Sequence, residues 1–151
     1  MQTRKQTKQA EGSKAKQRLK ENLSSSGFHF TQQRAAVFEF LRTVEYHPTA
    51  DEVYLGVKNC LPKVSLATVY KNLEALIVAG LASKLTYGEG SARYDIRTDH
   101  HHHVRCTACG KVWDIEASEN SAWLKKMKPK AGFQVTDYRL ELLGNCRDCR
   151  Q

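Results

Sequence analysis

Apolar residues recur every three or four positions through the first half of the chain, which is the spacing of one buried helical face. Leu19 and Leu23 lie one turn apart in a segment that Gly27 would end, so we expect a short helix at about residues 14–26. Three further helices are expected. Each is preceded by a side chain suited to accept hydrogen bonds from its first turn, and these caps are Thr31, Thr49 and Ser65.

Two short runs with the character of strands follow the helices. They read "ASKLTY" and "ARYDI", and Gly88-Glu89-Gly90 between them is suited to a hairpin turn. Helices followed by a two-stranded hairpin are the order of a winged helix-turn-helix, in which the helix before the hairpin enters the DNA major groove. Pro62 would end the third helix and Gly80 the fourth, so the DNA-reading helix would be residues 66–79.

The outward face of that helix carries Ala67, Tyr70, Lys71 and Glu74. Tyr70 can meet bases or phosphate, and Lys71 can reach phosphate or guanine. We expect DNA contacts from five residues: Arg34, Ser65, Thr68, Tyr70 and Lys71. Helix periodicity alone is weak support, because any three-helix unit shows it. Residues 21–90 hold six basic and seven acidic residues, a balance that favours binding by a dimer over binding by one copy.

The second half of the chain has a different pattern. "HHHHVRC", "KVWDI" and "GFQVTDYRLELLG" read as strands, and a helix is expected at about 118–128. A unit this small has too little core to stand alone, which favours dimerisation. The predicted fold class is α+β, with a winged-helix DNA-binding domain at 14–96 and a small α/β metal-binding dimerisation domain at 97–151.

Charge adds a basic extension to this picture. The formal net charge is +8 over 151 residues, and residues 1–20 hold seven Lys/Arg against one Glu. Residues 1–13 are predicted to be disordered, and they serve either as a solubilising extension or as an arm that meets DNA phosphates. No apolar run approaches the roughly 18 residues of a membrane span, and residues 1–18 lack the apolar core of a signal peptide, so a cytoplasmic location is expected.

Two Cys-x-x-Cys pairs are the strongest chemical signal. Cys106 and Cys109 form the first, Cys146 and Cys149 the second, and 36 residues separate the pairs. Four thiolates around Zn²⁺ would make a closed tetrahedral site with a structural role. Two redox-active dithiols are the alternative. Cys60 stands alone in a helical stretch and is interpreted as a small buried residue.

The histidine run predicts a second metal site. Alternate residues of a strand share a face, so His101 and His103 point together. A divalent ion needs more than two imidazoles, and the candidates for the other ligands are His47, Asp95 and Asp114. Such nitrogen and oxygen ligands suit Fe²⁺ or Mn²⁺. A polar wing loop explains Asp95 equally well, and a helix N-terminus explains His47.

The order and spacing of these motifs resemble the ferric uptake regulator superfamily of metal-dependent repressors. The matching stretches are "TQQRAAVFEFL", "HPTADEVY", "SLATVYKNLEAL", "LTYGEGSARYD", "HHHVRCTACGKV" and "GNCRDC". The resemblance implies a homodimer on double-stranded operator DNA, with one structural zinc on the four cysteines and one regulatory iron or manganese on the His/Asp set in each subunit. It implies neither an enzymatic activity nor a small organic substrate, and "HExxH" is absent.

Asp114 favours the peroxide-sensing branch of that superfamily, since iron-sensing relatives usually carry Glu at the matching position. The resemblance then implies oxidation of His47 or His101 during sensing. An iron-responsive or other metal-responsive repressor without histidine oxidation is the alternative. Some relatives have an additional metal site that uses a histidine of the last strand. Asp137 and Tyr138 stand there in this chain, so His100 and His102 are not expected to complete such a site.

Overall fold

The computed structural model describes residues 3–87, 90–116, 132–136 and 138–150, with the backbone alone described for 3–11. The chain divides into two compact units, residues 1–98 and 99–151. The predicted helix at 118–128 and two residues of the predicted hairpin turn, Gly88 and Glu89, lie outside the described residues.

The described part of the first unit has the element order of a winged helix. Its helices and strands are α1 Thr3–Ser25, α2 Gln32–Thr43, α3 Ala50–Val57, α4 Leu66–Val78, β1 Ser83–Leu85 and β2 Arg93–Asp95. Strands β1 and β2 are antiparallel, with Lys84 opposite Tyr94. Strand β2 also forms an isolated bridge through Arg93 to Thr49, which brings the start of α3 to the wing.

The three predicted caps are confirmed. The Thr31 hydroxyl accepts the Arg34 N–H at 3.2 Å, and the Ser65 hydroxyl accepts the Thr68 N–H at the same distance. At α3 the capping box is complete, because the Glu52 carboxylate also accepts the Thr49 N–H at 2.8 Å. Each cap satisfies a backbone donor that a helix leaves open and contributes about 1 kcal/mol.

The core of the first unit follows the apolar stripes of the sequence. All four helices contribute residues that are at most 3% exposed, among them Leu19, Leu23, Val37, Leu41, Val53, Val57, Leu73 and Leu76. These contacts hold α4 so that Ala67, Tyr70, Lys71 and Glu74 remain exposed, as the periodicity predicts.

Two helix boundaries differ from the predicted ones. Helix α1 begins at Thr3, so the backbone of residues 3–13, predicted to be disordered, is helical. Seven of its eleven residues are Arg, Lys, Gln, Ala or Glu, which favour helices, and it has no proline. Helix α3 ends at Val57, five residues before Pro62, where the N–H groups of Cys60 and Leu61 both reach the Val57 carbonyl in a turn.

The second unit is built on a three-stranded sheet in the order β4-β3-β5, with β3 His102–Cys106, β4 Val112–Ile115 and β5 Glu141–Gly144. Strand β4 pairs antiparallel to β3, and β5 pairs parallel to it. The strand predicted at 132–144 was too long. Residues 132–136 and 138–140 are not strand, because the ladder with β3 reaches only from Glu141 to Gly144.

Among the described helices, none combines the length and apolar character that crossing a membrane requires.

Candidate metal centres

The four paired cysteines converge at one end of the second sheet. Cys106 ends β3 and Cys109 lies in the turn that follows. Cys146 immediately precedes a 3₁₀ turn just after β5, and Cys149 is the last residue of that turn. The parallel pairing of β3 with β5 sets Cys106 opposite Gly144, which brings the two turns together. The four Sγ atoms all lie within 4.8 Å of one another.

This geometry fits a zinc ion. The Sγ atoms of Cys109 and Cys146 are 3.8 Å apart, and a tetrahedron with Zn–S bonds of about 2.3 Å has edges of roughly 3.8 Å. Four protein thiolates close the coordination sphere, so such an ion would be structural. The site links the end of β3 to a segment some 40 residues later in the chain.

Hydrogen bonds shift the pKa values of two of these thiols in opposite directions. The backbone N–H groups of Cys109 and Cys146 lower the pKa of the Cys106 thiol to about 6. Hydrogen bonds among the side chains, first from Cys146 and then from Cys109, raise the pKa of Cys149 to about 12. A divalent cation bound by the cluster would favour the thiolate form of each cysteine.

Cys60 is not the buried residue that the sequence predicted. Its thiol is exposed and donates to the Val57 carbonyl at 3.1 Å. The error follows from the early end of α3, which leaves Cys60 in a surface turn instead of on the inward face of a helix.

One cluster of nitrogen and oxygen ligands lies on the second unit's sheet. His101 and His103 share a face, with ring centroids 4.5 Å apart, and Asp114 lies directly opposite His103 on β4. Their Nε2 atoms are 3.1 Å and 3.8 Å from the Asp114 Oδ1. Two imidazoles and a carboxylate aimed at one point form half of a coordination sphere for Fe²⁺ or Mn²⁺.

A second pair of ligands lies within the first unit. His47, in the loop before α3, is 7% exposed, and Asp95, at the end of β2, is 1% exposed. The His47 Nδ1 and the Asp95 Oδ1 are 3.6 Å apart. The Arg97 N–H donates to the same carboxylate oxygen at 2.7 Å and fixes its orientation. A buried carboxylate requires hydrogen bonds and a cationic partner, so Asp95 is poorly explained as a solvated wing residue.

Sequence reasoning missed a polar network that holds this pair. The Arg93 guanidinium donates to the His47 backbone carbonyl at 2.8 Å and lies 3.2 Å from the Glu52 carboxylate. The Tyr94 N–H donates to the Pro48 carbonyl at 2.9 Å. The capping box marks Glu52 in the sequence, but nothing local marks Arg93, whose partners are 46 and 41 residues away.

The other two histidines face away from Asp114, as the strand alternation predicts. The His100 Nε2 is 2.9 Å from the Tyr138 carbonyl, and the Tyr138 hydroxyl is 3.3 Å from the His102 Nε2. These contacts tie β3 to the segment that leads into β5. Among the described residues, the metal-ligand clusters include neither His100 nor His102.

The predicted DNA-contacting residues lie in the first unit. Tyr70 is 48% exposed and Lys71 is also exposed on α4. Ser65 and Thr68 lie 2.9 Å apart through their hydroxyls at the start of α4. Arg34 donates to the His29 carbonyl at 2.6 Å and stacks over Phe28, so its guanidinium is oriented by the segment that precedes α2.

A winged helix joined to a unit with four clustered thiolates and imidazole–carboxylate ligands defines a metal-binding DNA-reading protein. The family model described as the Ferric uptake regulator family matches residues 25–143. The chain therefore belongs to the ferric uptake regulator family, which makes it a metal-responsive transcription regulator.

Individual relatives agree with this assignment. The peroxide-responsive repressor PerR of Staphylococcus aureus (strain Mu50) is 35% identical over 129 residues, which is 85% of this chain and 87% of the relative. The structure of a zinc-bound manganese uptake regulator matches with a TM-score of 0.71 at 29% identity, over 85% of this chain and 98% of that one. A Campylobacter jejuni peroxide stress regulator matches with a TM-score of 0.58 at 36% identity, over 78% and 88%.

Proposed function

We propose that the protein is a dimeric, metal-dependent repressor of transcription that senses peroxide through iron-catalysed oxidation of its regulatory histidines. The observation that carries this proposal is the convergence of His101, His103 and Asp114 on one point without a sulfur ligand. The similarity to a peroxide-responsive repressor and a peroxide stress regulator supports the same reading.

The regulatory ion has five protein ligands in this proposal. His47 and Asp95 supply one nitrogen and one oxygen, and His101, His103 and Asp114 supply the rest. Neither set fills the coordination sphere of Fe²⁺ or Mn²⁺ by itself. Binding would thus fix the two winged helices of a dimer at the spacing that two operator half-sites require.

Loss of a ligand is the sensing event. Ferrous iron, when bound, supplies the electron that cleaves the O–O bond of peroxide. The net reaction reduces one peroxide to water, while the ring of His47 or His101 is oxidised by two electrons and gains one oxygen. The product, 2-oxo-histidine, is a poor ligand. Metal is then lost, and affinity for operator DNA falls because preorganisation is lost.

DNA binding in this proposal uses the exposed face of α4. Tyr70 and Lys71 meet the major groove, while Arg34, Ser65 and Thr68 position the helix on the backbone. The near-neutral charge of residues 21–90 favours two copies on one operator. Among the described strands, β5 lies at the edge of its sheet with Leu142 and Leu143 exposed, the latter by 59%, and this apolar edge suits a second copy of the chain.

The four cysteines hold one structural Zn²⁺ in each subunit. This ion fastens the end of the chain to β3 and takes no part in sensing. It also supports the sheet on which His103 and Asp114 lie.

Mass spectrometry tests the sensing step. Protein loaded anaerobically with Fe²⁺ is exposed briefly to hydrogen peroxide, beside a Mn²⁺-loaded control. We expect a gain of one oxygen on peptides that contain His47 or His101, in the iron sample only. Duplex binding should require Mn²⁺ or Fe²⁺ and vanish on chelation. Unmodified histidines together with intact metal-dependent DNA binding would contradict the oxidation mechanism.

A second candidate function is a repressor that responds to metal occupancy without oxidation. The similarity to a zinc-bound manganese uptake regulator favours it. This candidate predicts release from DNA by a chelator and retention of DNA under peroxide when metal is plentiful. The same mass spectrometry decides between the two.

A further inference from the structure

The strongest feature that the proposed function does not use is the buried guanidinium of Arg93. The residue is 9% exposed at the start of β2, two positions before the ligand Asp95. A buried guanidinium is stable only when its donors are paired. Its partners here are the backbone carbonyl of the ligand His47 and the carboxylate of Glu52.

We propose that Arg93 is a positioning residue that couples the His47–Asp95 ligand pair to the first turn of helix α3. The inference rests on the proposed function, since it assumes that metal bound by His47 and Asp95 changes DNA affinity. Arg93 itself touches no metal in this proposal. It acts by holding the main chain on which a ligand is carried.

The contacts form a continuous path. Arg93 holds the His47 carbonyl at 2.8 Å, and the same guanidinium nitrogen lies 3.2 Å from Glu52 Oε2. That oxygen also accepts the Thr49 N–H at 2.8 Å and so closes the capping box of α3. A movement of the His47 main chain is therefore shared with the N-terminus of α3 through one nitrogen and one carboxylate oxygen.

The ligand loop is also fastened to β2 by its backbone. The Tyr94 N–H donates to the Pro48 carbonyl at 2.9 Å, and Thr49 bridges Arg93. The loop is thus an added edge on the strand that carries Asp95. Arg93 lies where this edge, the strand and the helix N-terminus meet, so it can transmit a change at the ligands to the helix.

Helix α3 passes that change to the DNA-reading helix. Val53 and Val57 of α3 are at most 1% exposed and belong to the same packed core as Leu73 and Leu76 of α4. Packed cores are displaced as units and do not deform continuously. The described contacts thus form a contiguous set of paired and packed groups between the ligand pair and the DNA-reading helix within the first unit.

The test measures coupling and not stability alone. The probe is a DNA duplex selected from random sequence by Mn²⁺-loaded wild-type protein, and the quantity is the ratio of its affinity with saturating Mn²⁺ to its affinity with chelator. Arg93→Met removes the guanidinium. Glu52→Gln keeps an oxygen that can close the capping box and removes the charge that faces Arg93. Leu19→Ala removes core contacts of α1, which lies outside the proposed path.

We expect Arg93→Met to lower the affinity ratio by about tenfold, which is within the usual range of allosteric coupling. Glu52→Gln should lower it in the same direction by less. Leu19→Ala should lower the thermal midpoint and leave the ratio unchanged. Zinc content should equal that of wild type throughout. If Arg93→Met fails to fold, Glu52→Gln decides the test.

An Arg93→Met protein with the wild-type ratio would overturn the inference, as would an equal fall in Leu19→Ala. The coupling test uses Mn²⁺ and does not depend on histidine oxidation. Unmodified histidines in the iron experiment would therefore refute the peroxide mechanism and leave the affinity ratio of this test unaffected. If the affinity of the wild-type protein for the duplex is the same with Mn²⁺ and with chelator, both the proposed function and this inference are refuted.

Discussion

The two candidate metal centres differ in how the chain holds their ligands. The four thiols lie in two tight turns at the ends of neighbouring strands, within one unit, and all approach to within 4.8 Å. The imidazole and carboxylate ligands come as two incomplete sets, one in each unit. A site completed by local turns suits a permanent ion. Neither the His47–Asp95 pair nor the set of His101, His103 and Asp114 fills a coordination sphere by itself, so each alone would release an ion more readily than four thiolates.

The largest effect is expected from breaking the thiolate cluster. Cys109→Ser should abolish zinc retention and cooperative unfolding of the second unit, because structural zinc contributes roughly 10–16 kcal/mol of apparent binding free energy in small zinc domains. Zinc analysis and thermal unfolding would measure this. Cys60→Ser, at an exposed thiol outside the cluster, is the matched control and should retain zinc. Full zinc content in Cys109→Ser would show that the cluster is not the zinc site.

Removal of Asp114 should affect the other centre alone. Asp114→Ala should lower Mn²⁺ affinity by at least roughly a hundredfold. Mutation of residues that only hydrogen-bond to metal ligands already lowers metal affinity by roughly 10–100-fold. Zinc content should not change. His100→Ala, on the opposite face of the sheet, should bind Mn²⁺ like wild type. Calorimetric Mn²⁺ titration distinguishes the two, and equal affinities would remove Asp114 from the ligand set.

Exchanging ligand chemistry between the centres sharpens the comparison. Asp114→Cys places a sulfur ligand beside His101 and His103. Thiolate ligands favour zinc over manganese, so the selectivity of the site for Zn²⁺ over Mn²⁺ should rise by about tenfold or more. Competition titrations against a metal indicator would measure it. Unchanged selectivity would mean that position 114 does not contact the ion.

The smallest effect concerns protons at the thiolate centre. Because the pKa of Cys106 is lowered to about 6, this group loses its proton on zinc uptake at low pH but has already lost it at neutral pH. The number of protons released per zinc should fall by about one between about pH 5 and about pH 7.5. Calorimetry in buffers of different ionisation enthalpy would count them. A constant number would show that Cys106 is an ordinary thiol.

The parts of the fold that depend on local chemistry were predictable. Thr31, Thr49 and Ser65 cap helices because a hydroxyl reaches an N–H two or three residues on, and that relation is visible in the sequence. The predicted winged-helix order is confirmed by the structure and by the family assignment. The ligand chemistry was equally visible, since cysteine spacing and histidine alternation are short-range patterns.

Features set by distant partners were not predictable. The length of β5 depends on how much of β3 is available to pair, and the surface position of Cys60 depends on where α3 ends. The role of Arg93 could not be predicted from the sequence, because its hydrogen-bond partners lie more than 40 positions earlier. The joining of all five nitrogen and oxygen ligands around one ion stays a prediction.

Strand β3 carries residues of both candidate centres. His103 lies opposite Asp114 near its beginning, and Cys106 joins the thiolate cluster at its end. Because side chains alternate, a slip of one residue would turn His101 and His103 away and present His100 and His102 to Asp114 instead. Fastening the end of the strand therefore selects which two of the four histidines face Asp114. A zinc ion on the four thiols would thus fix the register of β3 against β4, and with it the pair of histidines that faces Asp114.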